Sequence, residues 1–247
     1  MTTERKVIVN ADDFGLSRGV NRGIIEAHER GILTSTSLMV RQSAAEEAAE
    51  YARGNPRLGV GLHVDLGEWV CIRGHWMMRY EVVKIDDKFP RFLDEIRRQL
   101  DRFRALVGRE PSHIDSHQHF HRREPVRSGL YRIAEELALP LREMTTSIRY
   151  CGHFYGQSGS GDSYPELVGA DSLARTLQRL PAGITELGCH PSAEMDFESA
   201  YARERLLEFA SLCDQGVRET VVACGIKLVS FDELNADERR VKFHPQH

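Results

Sequence analysis

Short apolar runs alternate with segments of helical periodicity along this chain. Val7–Asn10 reads as a first strand. Gly19–Arg30 follows with apolar residues at helical spacing and ends at Gly31, a typical helix stop. Thr34–Val40 is rich in β-branched residues and predicts a second strand. This alternation is typical of a parallel sheet covered by helices.

The same alternation continues towards the C-terminus. Further strands are predicted at Leu58–Leu66, His113–His117, Leu139–Glu143, Thr185–Cys189 and Ile226–Phe231. Helices are predicted at Ser43–Arg53, Phe89–Val107, Pro125–Leu137, Ala170–Gln178, Ser199–Gln215 and Val217–Cys224. No repeat, low-complexity tract or flexible linker divides these elements. We therefore expect residues 1–247 to form a single α/β barrel-like domain rather than two domains.

Two segments, Trp69–Lys88 and Tyr150–Pro165, are predicted as the barrel loops that select the substrate. The second lacks periodicity, and long loops of this kind are usually functional or disordered. The second contains four glycines between positions 152 and 161, which leave its backbone unrestrained. We expect it to be mobile without ligand and to act as a lid, with Tyr155 or His153 touching the ligand. A surface insertion without a role is the alternative.

The charge balance limits the classes of partner. The chain has 33 basic and 37 acidic residues, so it lacks the basic excess that nucleic-acid binding needs.

No apolar run approaches a membrane span, and Met1–Lys6 leads into the first strand without a signal-peptide core, so a cytoplasmic location is expected. Five scattered cysteines without a CxxC pair predict neither disulfides nor a thiolate zinc site. The oligomeric state stays open, a homo-oligomer included.

Two adjacent carboxylates, Asp12 and Asp13, stand where the first strand ends. In α/β barrels, catalytic groups project from the carboxyl ends of strands, whereas two carboxylates inside a strand would be costly to bury. The segment Asn10-Ala11-Asp12-Asp13-Phe14-Gly15 also has an ordinary turn composition, so this motif alone leaves both interpretations open.

Histidines mark three further strand ends. The third strand carries His63 and Asp65 on one face, because side chains alternate with period two. The segment His113–His121 has His or Asp at every second position, which would place His113, Asp115 and His117 on one face. Such a face favours a metal or acid–base site over a solvated strand.

His190 ends another strand and is held by the Pro that follows it. Asp13, His63, His117 and His190 thus come from four strand ends, and we expect them to converge on one pocket. Two imidazoles and one carboxylate, with positions left for water, are typical of catalytic Zn²⁺ or a comparable divalent ion. Mg²⁺ prefers oxygen ligands and fits less well.

The order of these motifs resembles the YdjC-like deacetylases, which include chitooligosaccharide deacetylases and a branch associated with hopanoid synthesis. The motifs are Asn-Ala-Asp-Asp-Phe-Gly, Gly-Leu-His, His-Ile-Asp-Ser-His-Gln-His-Phe-His and Glu-Leu-Gly-Cys-His-Pro. The similarity spans about Val7 to Leu234. It implies a distorted, TIM-like (β/α)7 barrel of seven strands and the removal of an acetyl group from an N-acetylated sugar, which would be free, oligomeric or lipid-linked.

The resemblance also implies roles for residues. Asp13, His63 and His117 would bind one divalent metal ion, Asp12 would be the general base, and His190 would be the general acid or oxyanion partner. One departure is Ser192, which stands where the family usually has Gly after His-Pro.

The residue types themselves fit hydrolysis by metal-activated water. Asp65 or Asp115 would accept the second ring N–H of a ligand histidine. His119 and Tyr155 are further candidates for contacts around the metal or substrate, and Trp69, Trp76 and Tyr80 for stacking on a sugar; the two Trp residues would equally serve packing.

Three alternatives remain from the sequence. A glycoside hydrolase would use Asp12 with Asp13 or Asp65 as its two carboxylates, but would leave the histidines without a role. A metal-dependent phosphoesterase would want more ligands and a cationic phosphate clamp, which the motifs lack. A non-catalytic barrel that binds sugar or metal is the third.

Overall fold

The computed structural model describes residues 4–72, 74–85 and 89–241. Its strands, in chain order, are β1 (Arg5–Phe14), β2 (Ser35–Leu38), β3 (Gly59–Val64), β4 (Gly67–Ile72), β5 (His75–Glu81), β6 (Ile114–Ser116), β7 (Ile148–Cys151), β8 (Gly183–Cys189) and β9 (Ile226–Leu228). The α-helices are α1 (Arg18–Arg30), α2 (Ala45–Gly54), α3 (Phe89–Val107), α4 (Val126–Glu136), α5 (Ala170–Arg179), α6 (Ala202–Leu212), α7 (Gln215–Ala223) and α8 (Ala236–Arg239).

Seven parallel strands form one curled sheet, a half-barrel with helices packed against it. The strand order is β6-β3-β2-β1-β8-β7, and β9 pairs with the first residues of β1. The predicted α/β barrel class and the number of barrel strands are therefore confirmed. Within the described residues, no helix is both long enough and apolar enough to cross a membrane.

The register of the sheet aligns the strand ends that carry the candidate residues. Ala11 of β1 pairs with Cys189 of β8, and Val64 of β3 pairs with Ser116 of β6. Asp12 and Asp13 follow Ala11, His190 follows Cys189, His117 follows Ser116, and His63 immediately precedes Val64. These candidate residues therefore lie at the same edge of the sheet.

The two faces of β1 have different surroundings. Val7, Val9 and Ala11 belong to the large apolar core together with residues of the covering helices. Ile8 points the other way and packs in a smaller cluster with Phe231 and other residues, while Asn10 is buried and polar. The concave side of the sheet thus changes from apolar to polar along the strand, towards the carboxyl end.

One predicted strand is wrong. Leu139–Glu143 forms only an isolated parallel bridge, between Leu141 and Ile114, and the remaining strand of the sheet is β7. Pro140 has no N–H to donate to a ladder, and Ala138 and Glu143 have φ angles of 52° and 64°, which end an extended strand.

The two predicted loops contain more regular structure than the sequence pattern indicated. Within Trp69–Lys88, β4 and β5 form an antiparallel hairpin, although residues 73 and 86–88 lie outside the described part. Tyr150 and Cys151 belong to β7, so the second loop begins at Gly152. Phe154 anchors this loop with a side chain that is almost completely buried. Phe154 therefore restrains the loop near its start, although the glycines leave the rest of its backbone less constrained.

Candidate metal centre and active site

Three of the candidate side chains meet at the carboxyl edge of the sheet. Oδ1 of Asp13 lies 3.1 Å from Nδ1 of His117 and 3.4 Å from Nε2 of His63. Asp13 takes a φ of 70°, a conformation that Asp tolerates better than most residues. His117 does not extend β6, because the chain turns at Ser116 into a 3-10 segment, His117–Arg122.

The environment of His63 leaves one ring nitrogen for a ligand. Its Nδ1 lies 2.7 Å from Oδ1 of Asp115, as one of the two predicted arrangements required. Nε2 therefore faces Asp13 with its lone pair when the ring is neutral. Burial lowers the pKa of His63, but the carboxylates of Asp115 and Asp12 raise it more, to well above its usual value. The site thus favours positive charge at this position.

Asp13 also forms an ion pair with an arginine that the sequence motifs did not indicate. Nη2 of Arg205, on α6, lies 2.5 Å from Oδ2 of Asp13. Burial raises the pKa of Asp13, but Arg205 and His117 outweigh burial and hold it well below its usual value. Oδ2 is occupied in this way, while Oδ1 remains directed at the two imidazoles.

Asp12 is held by Arg142, a second residue that sequence reasoning missed. Two nitrogens of the buried guanidinium bind the two oxygens of Asp12, each at 2.7 Å. Arg142 also lies 2.7 Å from Asp115 and from Glu186. Burial raises the pKa of Asp12, but Arg142 overcomes this effect and lowers it. Asp12 is therefore a fixed, ionised carboxylate at neutral pH.

Arg142 carries one charge against three carboxyl groups. Burial raises the pKa of Glu186 to about 7, and the negative charges of Asp115 and Asp12 add to this effect, while Arg142 opposes it. Glu186 is thus the member of this group that takes up a proton most readily.

His190 lies between Asp12 and a further buried acid, Glu208. Its Nε2 is 3.8 Å from Oδ2 of Asp12, and its Nδ1 is 3.9 Å from Oε1 of Glu208. Nδ1 is buried without a hydrogen-bond partner within the described part of the chain. Burial lowers the pKa of His190 to about 4, so its ring is neutral at neutral pH.

Ser192, the departure from the expected Gly after His-Pro, fits its turn. The residue is fully buried, its N–H binds the carbonyl of Arg205, and its hydroxyl donates to the carbonyl of Glu194. A Cβ at Gly23 would approach Cα of Ser192 to 2.7 Å, so the close packing here depends on glycine in α1.

The other predicted residues have different positions. Asp65 binds Tyr80, Gln42 and the N–H of Gly67, so it supports the hairpin and does not bind a ligand histidine, contrary to one prediction. The residue also lies beyond the cavity lining described below.

His119 and Tyr155 both line the cavity. His119 packs against Tyr150 with ring centroids 5.6 Å apart, and its buried Nδ1 has no hydrogen-bond partner in the described structure. Tyr155 stacks on Tyr201 with centroids 4.7 Å apart and presents an edge-to-face contact to His190.

The site opens into a cavity of about 450 Å³. Its floor contains Asp12, Asp13, His63, His117 and His190, and its aromatic walls include Trp69, Trp76 and Tyr150. The hairpin β4–β5 and the loop after β7 meet above it, where Sγ of Cys71 lies 3.0 Å from the carbonyl oxygen of Ser160. The side chain of Gln118, next to His117, binds both the N–H and the carbonyl of Trp69.

Within the described residues, three groups of side chains have donor atoms close enough to hold a metal ion. In the group of Asp12, His63 and Asp115, both carboxylates are already bound by Arg142. In the group of His119, His121 and Glu143, Arg122 binds both oxygens of Glu143 at 2.6 and 2.8 Å. Asp13, His63 and His117 are the remaining group, with one carboxylate oxygen facing two imidazoles, and their donor set fits a divalent ion.

Comparison with known proteins supports the sequence motifs. The family described as YdjC-like protein matches residues 6–223. A carbohydrate deacetylase of Geobacillus stearothermophilus is 33% identical over 93% of this chain and 98% of its own length. A chitooligosaccharide deacetylase of Salmonella paratyphi B is 32% identical over 94% of this chain and its own full length.

Solved structures show the same fold. An Enterococcus faecalis protein named for cellobiose-phosphate cleavage has a TM-score of 0.71 at 26% identity, covering 93% of this chain and 98% of that chain. A Bacillus cereus polysaccharide deacetylase has a TM-score of 0.55 at 11% identity, covering 93% of each chain.

A family 4 acetyl xylan esterase from Clostridium thermocellum, in complex with a cobalt ion, has a TM-score of 0.52 at 12% identity, covering 93% of this chain and 89% of that chain. At such low identity these last two likenesses concern the fold alone. The match over residues 6–223, together with relatives above 30% identity along nearly the whole length, establishes that this chain belongs to the YdjC-like protein family.

Proposed function

We propose that this protein is a metal-dependent hydrolase that removes the acetyl group from an N-acetylated sugar. The observation that carries the proposal is the group of Asp13, His63 and His117, with Asp12 and His190 beside it at the floor of one cavity. Aromatic walls with a few convergent polar groups suit a sugar. The relatives named carbohydrate deacetylase and chitooligosaccharide deacetylase support the same reaction.

Asp13, His63 and His117 would hold one divalent ion. Zn²⁺ is preferred because two imidazoles and one carboxylate are its usual catalytic ligands, and Mg²⁺ or another divalent ion is the alternative. The acetyl xylan esterase that shares this fold was solved in complex with a cobalt ion, which is itself divalent in its common form. When bound, the ion would supply Lewis acidity for the acetamide carbonyl and for the attacking water.

Asp12 would accept the proton of the attacking water. Its ionised state and its bidentate contact with Arg142 give it the charge and the fixed orientation that a base requires. His190 would deliver a proton from Nε2 to the departing amine. The 3.8 Å between Nε2 and Asp12 lets the proton released from water reach His190 with a small movement.

The glycoside hydrolase alternative is less compatible with these charges. That reaction needs one carboxylic acid that keeps its proton to protonate the leaving group. Asp12 and Asp13 both have lowered pKa values, because each is bound by an arginine. Asp65 binds Tyr80 and Gln42 beneath the hairpin.

The test is amine release from N-acetylglucosamine, its oligomers and lipid-linked derivatives, with metal-stripped and metal-restored protein. We expect activity that returns with the metal. Asp12→Asn should keep the metal and lose activity by about 10²–10⁴-fold, the usual contribution of a positioned base. His63→Ala and His117→Ala should lose the metal, as measured by elemental analysis.

Full metal content in both histidine variants would remove these residues from the metal site. Near-normal turnover of Asp12→Asn, together with retained metal in Asp13→Asn, would show that the roles of the two aspartates are assigned wrongly. Metal binding without amine release from any of these sugars would favour a non-catalytic barrel.

A further inference from the structure

Glu208 is a buried acid that the proposed reaction leaves without a role. Its side chain, on α6, is completely enclosed. The acids around it have guanidinium partners: Asp12 and Glu186 bind Arg142, and Asp13 binds Arg205. No Lys or Arg of the described residues forms an ion pair with Glu208. A carboxyl group buried in this way is costly in its charged form unless it is paired, so it tends to keep its proton.

The hydrogen bonds of Glu208 fix its carboxyl group against one ring nitrogen. Tyr201 donates its hydroxyl to Oε1 at 2.6 Å, and that hydroxyl oxygen accepts the N–H of Gly156, so its proton is committed to Glu208. The backbone N–H of His190 donates to Oε2. Oε1 is thereby placed 3.9 Å from Nδ1 of His190, the ring atom that is buried without another partner.

We infer that Glu208 is the positioning residue for His190, exchanging a proton with Nδ1 so that Nε2 can supply a proton to the departing amine. This inference rests on the proposed deacetylation. It accounts for two features of the described residues together: a buried acid that forms no ion pair with Lys or Arg, and a buried imidazole nitrogen that has no hydrogen-bond partner.

The proton balance closes within the pair. Nε2–H passes its proton to the departing nitrogen while the carboxyl proton of Glu208 moves to Nδ1, which leaves a neutral imidazole beside a carboxylate. The proton that Asp12 accepted from water then restores Nε2–H, and Nδ1 returns its proton to Glu208. One proton has moved from water to the amine, and no isolated imidazolium has formed in the buried site.

The pKa values of the two groups agree with this exchange. Burial raises the pKa of Glu208 to about 8 and lowers the pKa of His190 to about 4. At neutral pH the carboxyl group is therefore mostly protonated and the ring is neutral. Tyr155 stacks on Tyr201 and contacts the ring of His190 edge to face, so it packs against both partners of Glu208.

The test uses Glu208→Gln, whose amide is nearly isosteric but cannot exchange a proton. On an N-acetylated sugar we expect kcat to fall by about 10²-fold, the lower end of general-acid effects, with KM little changed. On an aryl acetate ester, whose phenolate departs without protonation, the rate should stay within a few-fold of the wild type. Glu204→Gln is the matched control, since Glu204 is buried one turn earlier on α6 and binds Ser163.

A double variant tests whether Glu208 acts through His190. His190→Ala and His190→Ala/Glu208→Gln should have the same low rate on the amide, because the second change removes nothing further. Equal losses of Glu208→Gln on amide and ester, additive losses in the double variant, or an unchanged kcat would each overturn the inference. Absence of amine release by the wild type would instead overturn the proposed function, and this role with it.

Should Glu208→Gln not fold, Glu208→Asp keeps an exchangeable proton on a shorter side chain. Glu208→Asp should fold, and its rate on the amide should fall by less than the rate of His190→Ala does. Its rate on the ester should be retained. An amide loss as large as that of His190→Ala, accompanied by an equal ester loss, would count against the exchange.

Discussion

Arg142 is the residue on which the buried carboxylates of the site depend. Its side chain is fully enclosed and binds Asp12, Asp115 and Glu186, all of which are buried as well. Deleting one partner of a buried ion pair leaves uncompensated charge in a medium that solvates it poorly. Here one deletion would affect three carboxyl groups, so both stability and the orientation of Asp12 are involved.

We expect Arg142→Met to lower the free energy of unfolding by about 3–5 kcal/mol, as is usual when a buried pair is broken. Urea denaturation measures this change. Arg122→Met is the control, because Arg122 is half exposed in its pair with Glu143 and such pairs contribute about 1 kcal/mol or less. Equal losses in the two variants would contradict the importance assigned to the buried network.

His113 makes a separate contribution, which depends on pH. The ring is fully buried, stacks on Phe231 at 3.8 Å and binds Ser37 and Ser112. Burial lowers its pKa from 6.5 to about 3 in the folded protein. Between these values the unfolded chain binds the proton and the folded protein does not, so stability is present above pH 6.5 and falls as the pH decreases.

Between pH 6.5 and about 3, the free energy of unfolding of the wild type should decrease faster than that of His113→Gln, by about 1.4 kcal/mol per pH unit. The Gln side chain is polar but does not titrate. Urea denaturation between neutral and mildly acidic pH gives the comparison. Other buried histidines titrate in both proteins, so their contribution cancels when the free energies of unfolding of the two proteins are subtracted. A constant difference between the two proteins across the window would show that His113 does not carry this effect.

At the scale of elements, the hairpin β4–β5 and the loop after β7 form the roof of the cavity. The loop is anchored near its start by Phe154 and by the bond from Gly156 to Tyr201. Its tip reaches the hairpin, where a Cβ at Gly161 would come within 2.9 Å of Cβ of Cys71. Anchored bases and a contacting tip are compatible with the predicted lid, whose mobility hydrogen exchange would measure.

Shortening the tip within residues 158–161 should raise KM for the sugar while changing kcat less. The deletion removes the contact with the hairpin but keeps the bond between Gly156 and Tyr201, and it leaves Asp12 and His190 in place. Steady-state kinetics on the true substrate provides the measurement, and circular dichroism controls for folding. Unchanged kinetics would leave the tip as a surface insertion without a role.

At the scale of the whole molecule, parallel register brings side chains from distant parts of the chain to one edge. A metal ion that binds there binds the folded protein and not the unfolded chain, so it should stabilise the fold. At a free metal concentration 100 times Kd the gain would be about 2.7 kcal/mol. That residues 1–247 unfold as one domain stays a prediction, which a single calorimetric transition would support.

Thermal unfolding with and without Zn²⁺ tests this linkage. The wild type and His119→Gln should gain stability from the metal, because His119 belongs to a different group of donors. His63→Ala should gain much less. A metal effect that survives in His63→Ala and disappears in His119→Gln would move the metal to the other group.

The sequence by itself determined the elements with strong local periodicity and the residues at their ends. The helix predicted at Phe89–Val107 is α3, and the strands around Val7, Thr34 and Thr185 appear as β1, β2 and β8. Because carboxyl ends of parallel strands meet at one edge, the sequence also predicted that Asp13, His63 and His117 would lie together. These features depend on short-range pattern and on one general rule of topology.

Only the tertiary structure decided which charges accompany these residues. Arg142 is 130 positions from Asp12, and Arg205 is 192 positions from Asp13. Arg205 and Glu208 lie on a helix whose charged residues resemble a solvent-facing stripe, yet both are buried. Local pattern reports which face of an element is polar, but not whether water or an opposite charge meets that face, because the partner is supplied by chain folding from elsewhere.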